Sequence, residues 1–398
     1  MVKTIIKRDG RTAEFHPQKI ADAVEKSFQA CAAMQDRATA EQIAATVVEK
    51  LESGAIEGTP TVEGVQDLVE ETLIESGFVQ TAKAYILYRA ERSRVRDVNS
   101  RLIQTLKDIP FSKAADSDMK RENANIDADT AMGTMLKYGS ESAKQFYEMC
   151  VIDPRFAKAH REGDIHIHDM DFYTLTTTCC QIELRKLFKG GFSTGHGVLR
   201  EPNDISSYAA LACIAIQSNQ NDQHGGQSVC DFDYGLAVGV GKTYRRLFKK
   251  HVAEAVDLLT DIADDRSFAE NLLARVESET GTVASLEMDP EFRAAVVAGL
   301  VEGGVDAATA ERVVAYAEKN ASRDTDRQAF QAMEALVHNL NTMHSRAGAQ
   351  TPFSSVNYGM DTSPEGRMVI KNMLLATEEG LGSGETPIFP VQIFRVKE

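Results

Sequence analysis

Polar and apolar residues alternate through KTIIKRDGRTAEF, residues 3–15, with Asp9-Gly10 at the centre of the alternation. That dipeptide readily supplies the positive φ of a tight turn, so the stretch predicts a short β-hairpin. The period then changes. From His16-Pro17 onward, Ile20, Val24, Phe28 and Cys31 recur at helical spacing, and Pro17 suits the first helical position. Thr39 and Gln42 read as a capping box for a second helix carrying Ile43, Val47 and Leu51. Val65, Leu68, Val69 and Leu73 mark a third helix, and Ala82 to Arg94 a fourth. Residues 1–95 are therefore expected to form a small domain of one hairpin and a helical cluster.

The pattern weakens over residues 96–125, where the charged stretch DSDMKRENAN predicts a linker. Residues 126–398 then alternate helical segments with short strand-like runs, among them Asp164 to His168 and Thr386 to Phe394, a rhythm that predicts an α/β domain. Between about 250 and 325 the chain turns rich in alanine and acids, punctuated by Asp289-Pro290 and Gly303-Gly304, and reads as a helical excursion from the α/β core. No internal repeat is evident.

Composition narrows the function classes. The 398 residues are 43% hydrophobic, enough for a large core in two or three domains. A formal net charge of −15 argues against binding a nucleic-acid polymer, although a few placed cations still hold the phosphates of a small nucleotide. No apolar run has the length of a membrane span and the N-terminus lacks the apolar stretch of a signal peptide, so a cytoplasmic, non-membrane protein is expected. The six cysteines are spread widely with no Cys-x-x-Cys, which suits reduced thiols better than a disulfide framework or a zinc ribbon.

Candidate chemistry concentrates in GDIHIHDMDFYTLTTTCCQ, residues 163–181. On a strand His166 and His168 would share one face and Asp169 and Asp171 the other, which fits either a metal site or, more simply, a strand-end hydrogen-bond network. Neighbouring Cys179 and Cys180 would point to opposite sides and so form no unstrained disulfide with each other. A buried structural role is the ordinary one for cysteine, but flanking threonines and the His-Asp cluster make this a polar setting suited to thiol chemistry. GVGKT at 239–243 has the ending of a phosphate loop with the wrong glycine spacing and reads as a chance match. Lys7, Arg8, Arg11 and Lys19 surround the hairpin and the start of the next helix, forming either a solvated face or a phosphate pocket. SNQNDQHGGQS (218–228) and HNLNTMHSRAGAQTPFSSVNYG (338–359) are rich in amides, hydroxyls and glycine, as loops lining a site for a hydroxyl-rich ligand such as a ribose would be.

These stretches resemble a known family. VKTIIKRDGRTAEFHPQKIADAV is similar to the ATP-cone, the allosteric module at the front of many ribonucleotide reductases. NANIDADTAMGTML, GDIHIHDMDFYTLTTTCCQ, GFSTGHGVLREP, SYAALACIAIQSNQNDQHGGQ, HNLNTMHSRAGAQTPFSSVNYG and GETPIFPVQIF resemble, in order, the N-terminal half of anaerobic (class III) ribonucleoside-triphosphate reductases. The resemblance implies an ATP-cone followed by the first part of a ten-stranded α/β glycyl-radical-enzyme barrel. It also implies reduction of ribonucleoside triphosphates to deoxyribonucleotides for DNA synthesis, in which a thiyl radical takes the ribose 3′ hydrogen, the 2′ hydroxyl leaves as water, and a second thiol delivers reducing equivalents from formate or a dithiol.

By that resemblance the second thiol is Cys179, with Cys180 as the fallback, and Thr178, Asn341 and Ser345 lie at the substrate. Lys7, Arg8 and Lys19 would hold ATP or dATP in the cone, ATP favouring activity and dATP suppressing it. The thiyl cysteine, the four-cysteine zinc site and the glycyl-radical motif of the family have no counterpart in these 398 residues. The chain is therefore expected to be inactive alone and to need a C-terminal half, an S-adenosylmethionine iron-sulfur activating enzyme and, by family analogy, a homodimer. Two rival readings are a nucleotide-sensing regulatory protein without catalysis and a metal-dependent hydrolase using His166 and His168.

Overall fold

The computed structural model describes residues 2–8, 10–31, 37–108, 130–173, 176–260 and 265–396, with backbone alone at 94–102, 105, 107, 108 and 265. The chain divides into two compact units, Met1–Lys107 and Asp108–Glu398.

In the first unit β1 (Thr4–Ile6) and β2 (Thr12–Glu14) pair antiparallel with Ile5 opposite Ala13, and Gly10 takes the positive φ of 80° that the turn needs. Helices α1 (Gln18–Ala30), α2 (Arg37–Glu52) and α3 (Val62–Glu75) follow. Their buried faces are those the spacing picked out, including Ile20, Val24, Phe28, Val47, Val69 and Leu73. The Thr61 hydroxyl caps α3 by accepting from the Gly64 N–H at 3.0 Å. Two boundaries differ from expectation. Thr39 is no N-cap: α2 already starts at Arg37, whose guanidinium reaches Asp22, Glu25 and Glu41. Helix α4 (Val79–Asp108) runs on through the first part of the expected 96–125 linker, because nothing in RVRDVNSRLIQTLKD breaks a helix. Residues 109–125 of that linker lie outside the described residues.

The second unit holds a four-stranded parallel sheet in the order β3 (Cys180–Ile182), β6 (Gln227–Val229), β7 (Ser354–Tyr358), β8 (Val391–Phe394). Helices α5 (Ala131–Phe146) and α6 (Pro154–Glu162) precede β3, and the short α7 (Leu184–Phe188), the ribbon β4 (Phe192–Ser193) and β5 (Val198–Leu199), and α8 (Ile205–Asn219) lie between β3 and β6. Long helices α9 (Phe232–Leu259) and α12 (Ala307–Thr342) and the helix α13 (Pro364–Glu379) pack together beside the sheet. Their core includes Leu184, Phe232, Leu236, Leu336, Val356 and Met373, none more than 1% exposed. The 250–325 excursion is a second core in which Phe248, Phe292, Val296 and Val314 join the far halves of α9 and α12 to α10 (Asp265–Thr280) and α11 (Pro290–Glu302).

Asp233 ties this unit together. One carboxylate oxygen accepts the backbone N–H groups of Gly359, Met360 and Asp361 at 2.8, 2.9 and 2.9 Å, joining the first turn of α9 to the chain leaving β7. Asp233→Ala strands three donors in a buried site and should lower stability by about 3 kcal/mol or more. A thermal melt would show this as a drop of roughly 5 °C or more, with Asp233→Asn intermediate because its amide oxygen still accepts.

Two further expectations change. Asp164 to His168 form no strand, because Gly163 ends α6 in the left-handed region and Asp169, at φ 49°, starts a tight turn, so the segment bends at both ends. Its Ile167 N–H donates to His160 Nδ1 at 3.2 Å rather than to a neighbouring strand. The run from Thr386 is extended strand only at Val391–Phe394. GVGKT lies inside α9 and is no loop. Gly239 is there because Tyr208 presses on it, a Cβ standing 2.8 Å from that ring, and Thr243 accepts from the Ile205 N–H at 2.8 Å.

Candidate active site

Parallel pairing of β3 with β6 sets Cys180 beside Gln227, and a bridge extends the pairing backward to Thr177 and Gln223. The Cys180 N–H donates to Gly226 O at 3.2 Å and the His224 N–H to Thr177 O at 3.1 Å. Two glycines make this approach possible. A Cβ on Gly225 would stand 1.9 Å from Thr178 O and 2.6 Å from Cys179 Sγ, and one on Gly226 would press on the Phe353 ring. A cleft of about 420 Å3 opens here, lined by both cysteines with Gln227, Ser228, Phe353 and Ser355 among the remaining walls.

The two thiols have different surroundings. Cys179 is exposed and sits just before β3, one residue short of the strand expected to carry it. Cys180 opens the strand, half-buried, and its Sγ accepts from Asn219 Nδ2 at 2.8 Å. The same Nδ2 donates to Gln227 Oε1 at 2.8 Å, so one amide holds both the sulfur and the glutamine. Burial pushes the Cys180 thiol above its ordinary pKa, the Asn219 hydrogen bond works against that shift, and the neighbouring Cys179 adds to it. Cys180 is thus held protonated and oriented.

The other expected residues separate. Thr178 is exposed, its carbonyl against Gly225. Asn341 is fully engaged elsewhere: its Nδ2 donates to Val337 O and Phe389 O at 2.7 and 2.5 Å, and its Oδ1 accepts from the N–H groups of Ile388 and Phe389 at 2.8 and 3.0 Å. It clamps the approach to β8, so the structure does not bring its amide to the cysteine cleft. Ser345 donates to Gln220 Oε1 next to Arg346.

The His-Asp cluster divides as well. The rings of His166 and His168 lie 5.7 Å apart at a tilt of 45°, both exposed, and Asp171 accepts from the Ser140 hydroxyl at 2.7 Å. Asp169 instead reaches His224 at 3.5 Å, and His224 also meets the Thr176 hydroxyl at 3.1 Å and lies flat on Phe172 at 4.5 Å. Among the described residues no three His, Cys, Asp or Glu side chains form a metal-ligand group. Asn219, Gln223, Gln227 and Arg346 all lie in the two amide-rich runs the sequence singled out, but none of them stood out there individually. The Gly225-Gly226 pair was the available signal, since adjacent glycines before a strand mark close backbone approach.

In the first unit Lys7 and Lys19 are exposed, at the hairpin turn and in the first turn of α1. Arg8 is already engaged, donating to Glu63 and, at 2.7 Å, to Gln66. Arg8 holds the Glu63 carboxyl below the usual carboxylate range despite partial burial, with Arg89 assisting.

Residues 122–398 match the family described as anaerobic ribonucleoside-triphosphate reductase, and residues 3–94 match the ATP cone domain. The anaerobic ribonucleoside-triphosphate reductase of Haemophilus influenzae is 24% identical over 397 residues, covering 99% of this chain and 47% of that protein. That of Escherichia coli is 24% identical over 401 residues, covering 100% and 47%. The ribonucleoside-diphosphate reductase subunit alpha of Chlamydia pneumoniae is 41% identical over 98 residues, 23% of this chain and 9% of that one. A crystal structure of the anaerobic ribonucleotide reductase from Thermotoga maritima overlaps 77% of this chain and 48% of that one at 12% identity and a TM-score of 0.40. The chain spans about half the length of the curated relatives it matches. Among the described residues no helix is long and apolar enough to cross a membrane.

Proposed function

Because this chain belongs to the anaerobic ribonucleoside-triphosphate reductase family, we propose that its Cys179 cleft forms one side of the site where a ribonucleoside triphosphate is reduced. The observation that carries this reading is the pair of adjacent thiols over a glycine floor, opening on a cleft about 420 Å3 in volume. In this reading the Cys179 Sγ–H faces the sugar and delivers hydrogen to it as the 2′ hydroxyl leaves as water. Cys180, fixed by Asn219, supports the strand end beside it. A rigid strand pair holds a thiol within the narrow geometric tolerance that hydrogen transfer requires. Radical chemistry would be supplied by a glycyl radical stored in the other half of the enzyme, where the structural zinc is also assigned. An S-adenosylmethionine iron-sulfur enzyme would install the radical, and formate or a dithiol would be the final reductant.

The cone is assigned ATP and dATP, held at Lys7, Arg8 and Lys19. Arg8 must then exchange Glu63 for phosphate, which couples nucleotide binding to the contact between hairpin and α3. A dimeric, cytoplasmic enzyme completes the reading. To test it, the chain is combined anaerobically with the C-terminal half of a relative and its activating enzyme, and deoxyribonucleotide formation is measured. Product is expected only from the completed mixture. ATP binding without product would favour a nucleotide-sensing protein that performs no catalysis.

A further inference from the structure

A second cavity, of about 610 Å3, lies where α5 meets the residues leading into β3 and β6. One wall is apolar and deformable, formed by Met132, Met135 and Leu136, and Phe172 lies opposite in its flat stack with His224. Gln223 also lines it. That side chain is 5% exposed, and among the described residues both Oε1 and Nε2 of its carboxamide lack a hydrogen-bond partner. A buried amide with neither end satisfied costs stability unless something not yet bound meets it. Arg346 borders the same space, and each acceptor it meets among the described residues is uncharged: Gln350 Oε1 at 2.6 Å and the backbone oxygens of Gln220 and Gln223 at 3.3 and 2.9 Å. Of the three carboxylates lining the space, Asp171 is engaged by Ser140 and Asp169 by His224, while Asp222 is exposed to solvent.

A ligand suited to this cavity is flat and aromatic, presents a donor and an acceptor side by side, and carries a negative tail. A nucleotide has all three features. From Thr176 in the cavity to Cys179 in the cleft is three residues, at most ~10 Å of extended chain, within the reach of a single nucleotide. Resting on the reductase reading above, we propose that this cavity takes the base of the substrate nucleotide and that Gln223 is its adaptable reader. A half-turn of the amide exchanges donor and acceptor, so one side chain can meet the edge of any of the four bases.

The test is calorimetric titration of the full chain with CTP and with UTP, for wild type and Gln223→Met. Methionine keeps the length and removes the two unsatisfied atoms. Wild type should bind both nucleotides at a site that Gln223→Met weakens at least ~10-fold, while the variant melts at the same or a higher temperature and binds ATP in the cone unchanged. Equal binding by wild type and variant, or no CTP binding by wild type, overturns the proposal. So does a variant that loses both CTP binding and thermal stability, since that is the behaviour of a structural residue. Formation of deoxyribonucleotides by the completed enzyme is scored separately, so the reductase reading can stand or fall on its own.

Discussion

Cys179→Ser in the completed enzyme should lower deoxyribonucleotide formation by about four orders of magnitude or more, as losses of a reacting group do. Serine keeps the shape and a hydroxyl proton, but its O–H bond is far stronger than S–H and does not yield a hydrogen atom to a carbon-centred radical. Because Cys179 is exposed and precedes β3, the change removes no core packing and the melting temperature should hold. ATP binding should also hold, since the cone is a separate compact unit. The measurement is product formation alongside ATP titration for Cys179→Ser and Cys180→Ser. If Cys179→Ser still makes product and Cys180→Ser does not, the reacting thiol is the one held by Asn219.

The second large effect comes from a residue with no side chain. A methyl group on Gly225 would sit 1.9 Å from the Thr178 carbonyl oxygen and 2.6 Å from Cys179 Sγ. The first obstacle is backbone, held by the flanking bonds of Thr177 with His224 and of Cys180 with Gly226, so no rotamer change relieves it. Gly225→Ala should therefore part the ends of β3 and β6, costing about 2–3 kcal/mol from overpacking. It should also move the thiol by a large fraction of an ångström, which is enough for a loss of roughly 100-fold in turnover. Gly226→Ala meets only the edge of the Phe353 ring at 3.2 Å and should cost much less. Turnover and denaturant midpoints for the two variants check the pair, and similar behaviour of both would show that the Cys179 contact is unimportant.

Local patterning carried far in some places and failed in others for definite reasons. The hairpin was readable because alternation and the Asp9-Gly10 turn agree, and the cone helices because Ile20, Val24, Phe28 and their counterparts recur on one face. Asp164 to His168 misled because alternation shows only that a strand is possible, and no strand forms there without a neighbour to pair with. In the site, the cysteine pair was visible as a polar-flanked thiol doublet. Asn219 and Gln227 were not, because their contact with Cys180 is created by parallel pairing between distant segments. Asn341 entered through the family resemblance alone, and nothing in the local sequence showed that the backbone groups of Ile388 and Phe389 lie within its reach.

The order of the strands bears on how the chain reaches its native state. Val229 ends β6 and Ser354 begins its neighbour β7, and the whole helical excursion lies between them. Closing so long a loop carries an entropic cost that falls if α9 and α12 first associate through Phe248, Phe292 and Val314 and bring the two strand segments near one another. Truncating Phe292 would then slow refolding of a sheet it never touches, and the excursion would serve as a kinetic template for the active-site strands.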